Sequence, residues 1–183
     1  MKNIVILIVS FILFACSTTS QDARLAIYPS VEASNVGSGI TVSVTVDDAR
    51  NTGIIGTIGE GAQITTSQDL SQTIGLALVD ALSKQGFKVS AASNLQAINL
   101  SVSLEELTYS RDGNAVSTDV ETTSKVKVDI SDKGFIRTYS NAEQRTIPFS
   151  ANEDSNNSQL SSTLGAIIDK IVNDQELIAA LRQ

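Results

Sequence analysis

The 183 residues carry 13 lysines and arginines against 20 aspartates and glutamates, a formal net charge of −7. So acidic a chain does not favour nucleic acid or an anionic lipid surface as a partner. There is no histidine, and Cys16 is the only cysteine. This composition excludes Ser-His-Asp and Cys-His catalysis, histidine-based zinc sites and an internal disulfide. We therefore expect no metal, no cofactor and no catalytic residues.

The chain begins like a secretory signal. Lys2 supplies a positive charge, residues 4–14 form an apolar run broken only by Ser10, and Ala15 precedes Cys16. This order of charge, apolar run and small residue is typical of signal peptides. The run is too short to span a membrane, which takes about 20 apolar residues.

Residues 13–16 (Leu-Phe-Ala-Cys) resemble the bacterial lipobox, in which cleavage frees the cysteine amine and the thiol carries diacylglycerol. The resemblance implies that residues 1–15 are removed and that acylated Cys16 anchors the protein, because two or more acyl chains such as palmitate make a lasting anchor. An ordinary signal peptide with an incidental cysteine is the alternative. Ser17 is not the aspartate that retains Gram-negative lipoproteins at the inner membrane, so sorting to the outer membrane is expected.

Residues 16–23 are small and polar, as in a tether, and residues 24–183 are expected to form a single periplasmic domain. Leu25–Tyr28 and Ile40–Val46 are predicted strands, the second half-buried because apolar and hydroxyl residues alternate. The first helix is predicted from apolar residues that share one face. These are Leu70, Ile74, Ala77, Leu78, Ala81 and Leu82.

The ends of this helix also carry signals. Thr66 is the predicted N-cap, with Asp69 completing a variant of the capping box. Gly86 is suited to the position after the C-cap, where a left-handed backbone is common. A short strand is predicted to follow from Phe87.

Three long strands come next. In the first strand the apolar residues occupy even-numbered positions up to Leu104 and odd-numbered positions from Leu107, which predicts a β-bulge at Glu105-Glu106. The second, residues 116–130, alternates apolar and polar residues and so has one wet face. That face bears Asp119, Glu121, Lys125 and Lys127. The third runs from Phe135 to Phe149, and its pattern does not identify an inward face.

Helical spacing returns from Leu160 to Val172, and Asp174 is the predicted cap of a short final helix. The order of elements is β-β-α-β-β-β-β-α-α. It predicts an α+β fold, a two-layer sandwich in which two or three helices pack on one face of a mostly antiparallel sheet.

The end of the second strand and the segment after it are the candidate interaction site. Asp47, Asp48 and Arg50 form either an ion-paired recognition corner or a solvent-facing turn, whose salt bridge contributes under about 1 kcal/mol. The glycine-rich segment that follows matches no phosphate-binding motif and is predicted to be a mobile surface loop. Its Ile54, Ile55 and Ile58 either tuck under the sheet or form an exposed contact surface.

The whole mature chain resembles the YajG-type family of uncharacterised outer-membrane lipoproteins. The lipobox and five further segments carry the resemblance. They are Val44–Arg50, the glycine-containing loop after it, Ala81–Val89, Leu100–Tyr109 and Arg137-Thr-Tyr139 followed by a helix pair. The resemblance implies a lipid-anchored periplasmic α+β domain without an established activity.

We therefore expect an outer-membrane lipoprotein, held in the bilayer through Cys16, whose domain binds another envelope protein and is not an enzyme. One alternative is a peptidoglycan hydrolase that uses carboxylates alone, with two carboxyls facing each other across a cleft at roughly 5–10 Å. Its candidate carboxylates are Asp47, Asp48, Glu60, Glu105 and Glu106. Another is an accessory subunit of a lipid or solute transporter, which needs a wide apolar groove lined by isoleucine and valine.

Overall fold

The computed structural model describes residues 19–58, 61–90, 96–113, 117–148 and 152–183. The predicted signal peptide, Cys16, Ser17 and Glu60 lie outside the described residues. Within those ranges, no helix combines the length and the apolar character that crossing a membrane requires.

The described residues form eight strands and three helices. The strands are β1 (Gln21–Asp22), β2 (Thr41–Asp48), β3 (Ile54–Thr57), β4 (Gln63–Thr65), β5 (Lys88–Ser90), β6 (Ile98–Gly113), β7 (Ser117–Ile130) and β8 (Phe135–Pro148). The helices are α1 (Leu70–Lys84), α2 (Glu153–Val172) and α3 (Gln175–Leu181). A 3-10 turn, Ser131–Lys133, joins β7 to β8.

The strand β6 is the centre of the sheet. On one side it pairs antiparallel with β7, and β7 pairs antiparallel with β8. On its other side β6 pairs in parallel with β2 and, at Tyr109, with β3. Beyond these, β5 lies parallel to β2, β4 antiparallel to β3, and β1 parallel to β4.

The sheet is therefore mixed, and the prediction of a mostly antiparallel sheet is wrong. The helix α1 carries the chain back along the sheet before β5 begins, so β5 runs parallel to β2. The long strand β6 then enters on the other side of β2 in the same direction. The meander from β6 to β8 and the β3–β4 pair are antiparallel, and short connections join their strands.

The helices α1 and α2 pack on the same face of the sheet, which confirms the α+β class. Every apolar residue of the predicted α1 stripe is buried. Buried residues of neighbouring strands are aligned with one another, as in the pairs Val44–Leu100 and Leu104–Val126. The inward face of β8 holds Tyr139, which is buried, and the partly buried Phe135 and Ile147.

Several local predictions are confirmed. The β6–β7 register shifts between Leu104 and Glu106, where a bulge was expected. Gly86 has a φ of 85° directly after the α1 C-cap. Asp174 caps α3 and accepts hydrogen bonds from the Glu176 and Leu177 amides. In each case the signal comes from residues within one or two turns of the feature it predicts.

The predicted N-cap of α1 is wrong. Asp69 is the N-cap, and its Oδ1 accepts a hydrogen bond from the Gln72 amide at 3.0 Å. The Thr66 hydroxyl instead donates to the Ala23 carbonyl at 2.8 Å and accepts from the Gln68 amide. Because Thr66 is bound to the N-terminal segment, the helix begins at Leu70.

Residues 23–30, which we call the strap, do not form the predicted sheet strand. They run extended between α1 and α2 and are bonded by side chains. Gln68 accepts from the Leu25 amide at 2.8 Å and donates to the Leu25 carbonyl at 2.9 Å. On the other side, amides of the strap donate to side chains one to three turns apart on α2. Those acceptors are Asn157, Ser161 and Asp169.

A buried polar chain fixes the residues just before the strap. The Tyr109 hydroxyl donates to Asn156 at 2.9 Å, and the Asn156 amide donates to Gln21 at 2.9 Å. Gln21 in turn donates to Asn157 and to the Glu153 carbonyl. The described chain therefore begins at the N-terminal end of α2, held there by hydrogen bonds that satisfy its buried polar groups.

Candidate functional site

The predicted corner at the end of β2 is built around one ion pair. Arg50 donates from Nε and Nη2 to the two carboxylate oxygens of Asp48, at 2.8 and 2.7 Å. Only 8% of the Arg50 side chain is exposed, against 30% of Asp48. The hydrogen bonds from Arg50 hold the pKa of Asp48 below its usual value. The carboxylate of Asp48 is thus neutralised by a bidentate arginine.

The structure separates the other predicted residues of this corner. Asp47 is exposed and takes no part in the Arg50–Asp48 pair. Ile54 is 40% exposed, whereas Ile55 is buried and Ile58 packs against the core. The alternatives for the isoleucines therefore both occur: two tuck under the sheet, and one is exposed.

Part of the glycine-rich segment forms a strand, where its composition predicts a loop. Residues 54–57 form β3, in which Gly56 pairs with Tyr109 of β6. A Cβ atom at position 56 would lie 2.0 Å from the Tyr109 carbonyl oxygen. Glycine at this position therefore permits the close approach of two strands. Gly59 and Glu60 lie outside the described residues.

Two of the carboxylates considered for hydrolysis have ionic partners. Asp48 is bound by Arg50, and the Glu105 carboxylate lies 3.3 Å from Lys125 Nζ. In the described part of the chain, no three His, Cys, Asp or Glu side chains form a group that could hold a metal ion.

A further charged cluster joins β8 to α3. Arg137 donates to Asp174 and to Glu176, and the Tyr139 hydroxyl donates to Asp174 at 2.6 Å. Burial raises the pKa of Tyr139, and its bond to Asp174 adds to this. Burial alone would raise the pKa of Asp174, but the bonds from Tyr139 and Arg137 hold it below its usual value. The Arg137-Thr-Tyr139 motif thus secures the N-terminus of the last helix.

A groove between the strap and α1 is the strongest candidate site. Tyr28 is 85% exposed and Leu76 is 65% exposed, and both line this groove of about 380 Å³. Pro29 of the strap and Ala77 of α1 also line the groove, as do Asp80 and Lys84, which form an ion pair. We call this site the strap groove. It combines exposed aromatic and aliphatic side chains with a charged rim.

The sequence carries a signal for each of these residues. Leu76 lies off the apolar stripe of α1, so the helical period places it on the solvent side. In the strap, Ala23, Leu25 and Ile27 are buried, and the alternation turns Tyr28 outward. What the sequence does not show is that the strap lies beside α1, which brings the two side chains into one groove.

This fold, with one mixed sheet under a helix layer crossed by an extended strap, defines a two-layer α+β domain. A sequence model of a family of uncharacterized lipoproteins, Lipoprotein_16, matches residues 28–182. The chain therefore belongs to this family, the YajG family, and the resemblance drawn from the sequence is confirmed. No curated protein matches the chain.

Three solved structures are similar in outline. An uncharacterized protein is 11% identical, with 85% of this chain and 97% of that chain covered and a TM-score of 0.46. A Helicobacter pylori protein, described as a neuraminyllactose-binding hemagglutinin homolog, is 12% identical over 82% and 92%, with a TM-score of 0.44. A dodecameric PelC variant from Paraburkholderia phytofirmans is 18% identical over 87% and 97%, with a TM-score of 0.34. At such TM-scores they carry no functional argument for this chain.

Proposed function

We propose that this lipoprotein is anchored in the outer membrane through acylated Cys16 and that its periplasmic domain binds another envelope protein through the strap groove, without catalysis. One observation carries the proposal: Tyr28 and Leu76, both largely exposed, meet in a single groove. Exposed apolar side chains that cluster beside polar groups are typical of protein contact surfaces.

The strap groove has the chemistry of a protein interface. Tyrosine is enriched among residues that contribute most to binding, because it buries a large area and keeps a polar hydroxyl. Tyr28 already faces solvent on the strap, so a partner gains this area without opening the core. The Asp80–Lys84 pair supplies the polar rim that such interfaces have.

The anchor limits where the partner lies. Gln21 is held at the start of α2, and Cys16 precedes it by five residues. Even a fully extended chain spans at most about 18 Å over that length. The domain therefore sits close to the membrane surface, and its partner is an envelope protein with a segment near the bilayer.

The state of the carboxylates supports a binding function over hydrolysis. A general acid needs a raised pKa, whereas the pKa of Asp48 is lowered by Arg50. The transporter alternative needs a wide groove of isoleucine and valine. The lining of the strap groove has one isoleucine, Ile27, and no valine, and it presents a tyrosine, a leucine and an ion pair, which suit protein side chains.

The corner at the end of β2 is a second candidate surface for the same function. Ile54 is 40% exposed at the start of β3, and the exposed Asp47 lies at the end of β2. In this proposal Arg50 positions the loop through Asp48, while Asp47 and Ile54 make the contacts.

Photo-crosslinking in intact envelopes tests the strap groove. With a photoreactive phenylalanine in place of Leu76, irradiation is expected to give an adduct of one defined mass, reduced at least tenfold by Tyr28→Ser. The matched control places the same probe at Ile136, which is 63% exposed on β8 outside the groove. If both positions gave the same adducts, or if Tyr28→Ser left the yield unchanged, the groove would not be the binding site.

A further inference from the structure

The two edges of the sheet differ sharply in length. The short strands β1 and β5, of two and three residues, end one side of the sheet. On the other side β8 has 14 residues, all paired with β7, and among the described residues no strand lies beyond it. Long unpaired edges offer backbone groups to another strand, and proteins normally shield them with charge, proline or a covering element.

The free backbone groups of β8 can be identified. The Ser140 carbonyl accepts a hydrogen bond from Lys170 Nζ at 2.7 Å, so it points away from β7. In an antiparallel strand the N–H and C=O of one residue point to the same side, and the side alternates. Ala142, Gln144 and Thr146 therefore direct their backbone groups outward from the sheet edge.

The two halves of β8 are covered differently. In the first half, Arg137 and Tyr139 contact α3, and Lys170 reaches Ser140 and Asn141. In the second half Ser162 of α2 donates to Glu143, whereas Ala142, Gln144, Arg145 and Thr146 are exposed. The outward side chains from Ile136 to Thr146 carry no charge, unlike those on the same face of β7. These outward side chains of β8 therefore lack the charges that shield edge strands in natural proteins.

We propose that residues 140–148 of β8 pair antiparallel with the same residues of a second copy of this chain, about a two-fold axis at Gln144. A two-fold contact uses the same surface on both copies. Backbone hydrogen bonds then join the two sheets edge to edge, as in strand addition to an exposed edge.

Charge complementarity selects the second copy and the register. With the axis at Gln144, Glu143 of each copy lies opposite Arg145 of the other, so the interface contains two pairs of opposite charge. An axis at Asn141 would instead place Arg137 opposite Arg145. The Arg145 side chain is 53% exposed, and its Nη2 lies 3.7 Å from Glu143 Oε2 of its own chain, an ion pair without a hydrogen bond. Its guanidinium therefore keeps donors for Glu143 of the second copy.

Disulfide trapping of the full-length protein in the envelope tests this pairing. At the two-fold axis, facing residues have Cα atoms about 5.5 Å apart, within the range that a disulfide spans. Gln144→Cys is therefore expected to give a covalent dimer on mild oxidation. Thr138→Cys is the control on the same face of the same strand. In this register its two copies lie about 40 Å apart, and no dimer is expected.

A second variant tests the charge pairing. Adding Arg145→Glu to Gln144→Cys sets two carboxylates opposite each other in both pairs, so the dimer yield is expected to fall at least fivefold. Circular dichroism should show the fold unchanged, since Arg145 is on the surface. Three results would each overturn the proposal. They are equal disulfide trapping at positions 138 and 144, a dimer yield that Arg145→Glu leaves unchanged, and an adduct with a protein of another mass. None of these readouts involves the strap groove.

Discussion

Truncating Leu78 to alanine is expected to lower the free energy of unfolding by about 2–5 kcal/mol. The Leu78 side chain is fully buried on the α1 face that packs on the sheet. Its removal loses the transfer free energy of the deleted groups and leaves a cavity in the surrounding core. Urea unfolding measures the difference.

Leu76→Ala is the matched control for this prediction. Leu76 lies on the same helix, two residues earlier, but is 65% exposed. Its truncation is expected to cost less than about 0.5 kcal/mol. Similar costs at positions 76 and 78 would contradict the packing of α1 on the sheet.

Replacing Arg50 by glutamate is expected to destabilise the fold by about 2–4 kcal/mol. Removing one partner of a buried ion pair leaves an uncompensated charge, which costs about 3–5 kcal/mol when both groups are buried. Asp48 is 30% exposed, so solvent screens part of this penalty. The substitution also places a second carboxylate beside Asp48. The sequence alone predicts little change in stability, because it suggests a surface pair.

Arg182→Glu is the control for Arg50→Glu, because it makes the same change of charge at an exposed position away from β8. Surface substitutions of this kind change stability by about 0.5 kcal/mol or less, so this variant should unfold near the wild-type urea concentration. If Arg50→Glu lowered the free energy of unfolding as little as the control does, Arg50 would be exposed to solvent. It would then again be a candidate contact residue of the predicted recognition corner.

The features that the sequence predicts well are those with local causes. The stripes of α1 and α2, the bulge at Glu105 and the caps at Gly86 and Asp174 all depend on residues within about one or two turns of each other. Asp174 also binds Arg137 and Tyr139, but it does so through Oδ2, whereas the α3 amides bind Oδ1, so these distant partners leave the local cap in place.

The features that it misses depend on contacts between distant segments. The strap has the alternation of a strand, but Gln68 and α2 supply its hydrogen bonds in place of a neighbouring strand. The burial of Arg50 likewise depends on how the loop after β2 folds over the sheet. The strap groove follows from the same packing, since Tyr28 and Leu76 are individually predictable but become neighbours only in the folded chain.

The lipid anchor, on which the proposed envelope location depends, is tested most directly by metabolic labelling with palmitate. The wild type is expected to take up label and to fractionate with the outer membrane after cleavage. The Cys16→Ala variant is expected to carry no label and to be uncleaved or soluble, because Cys16 supplies the only site of lipid attachment. A cleaved Cys16→Ala variant that still fractionated with the outer membrane would contradict the lipid anchor.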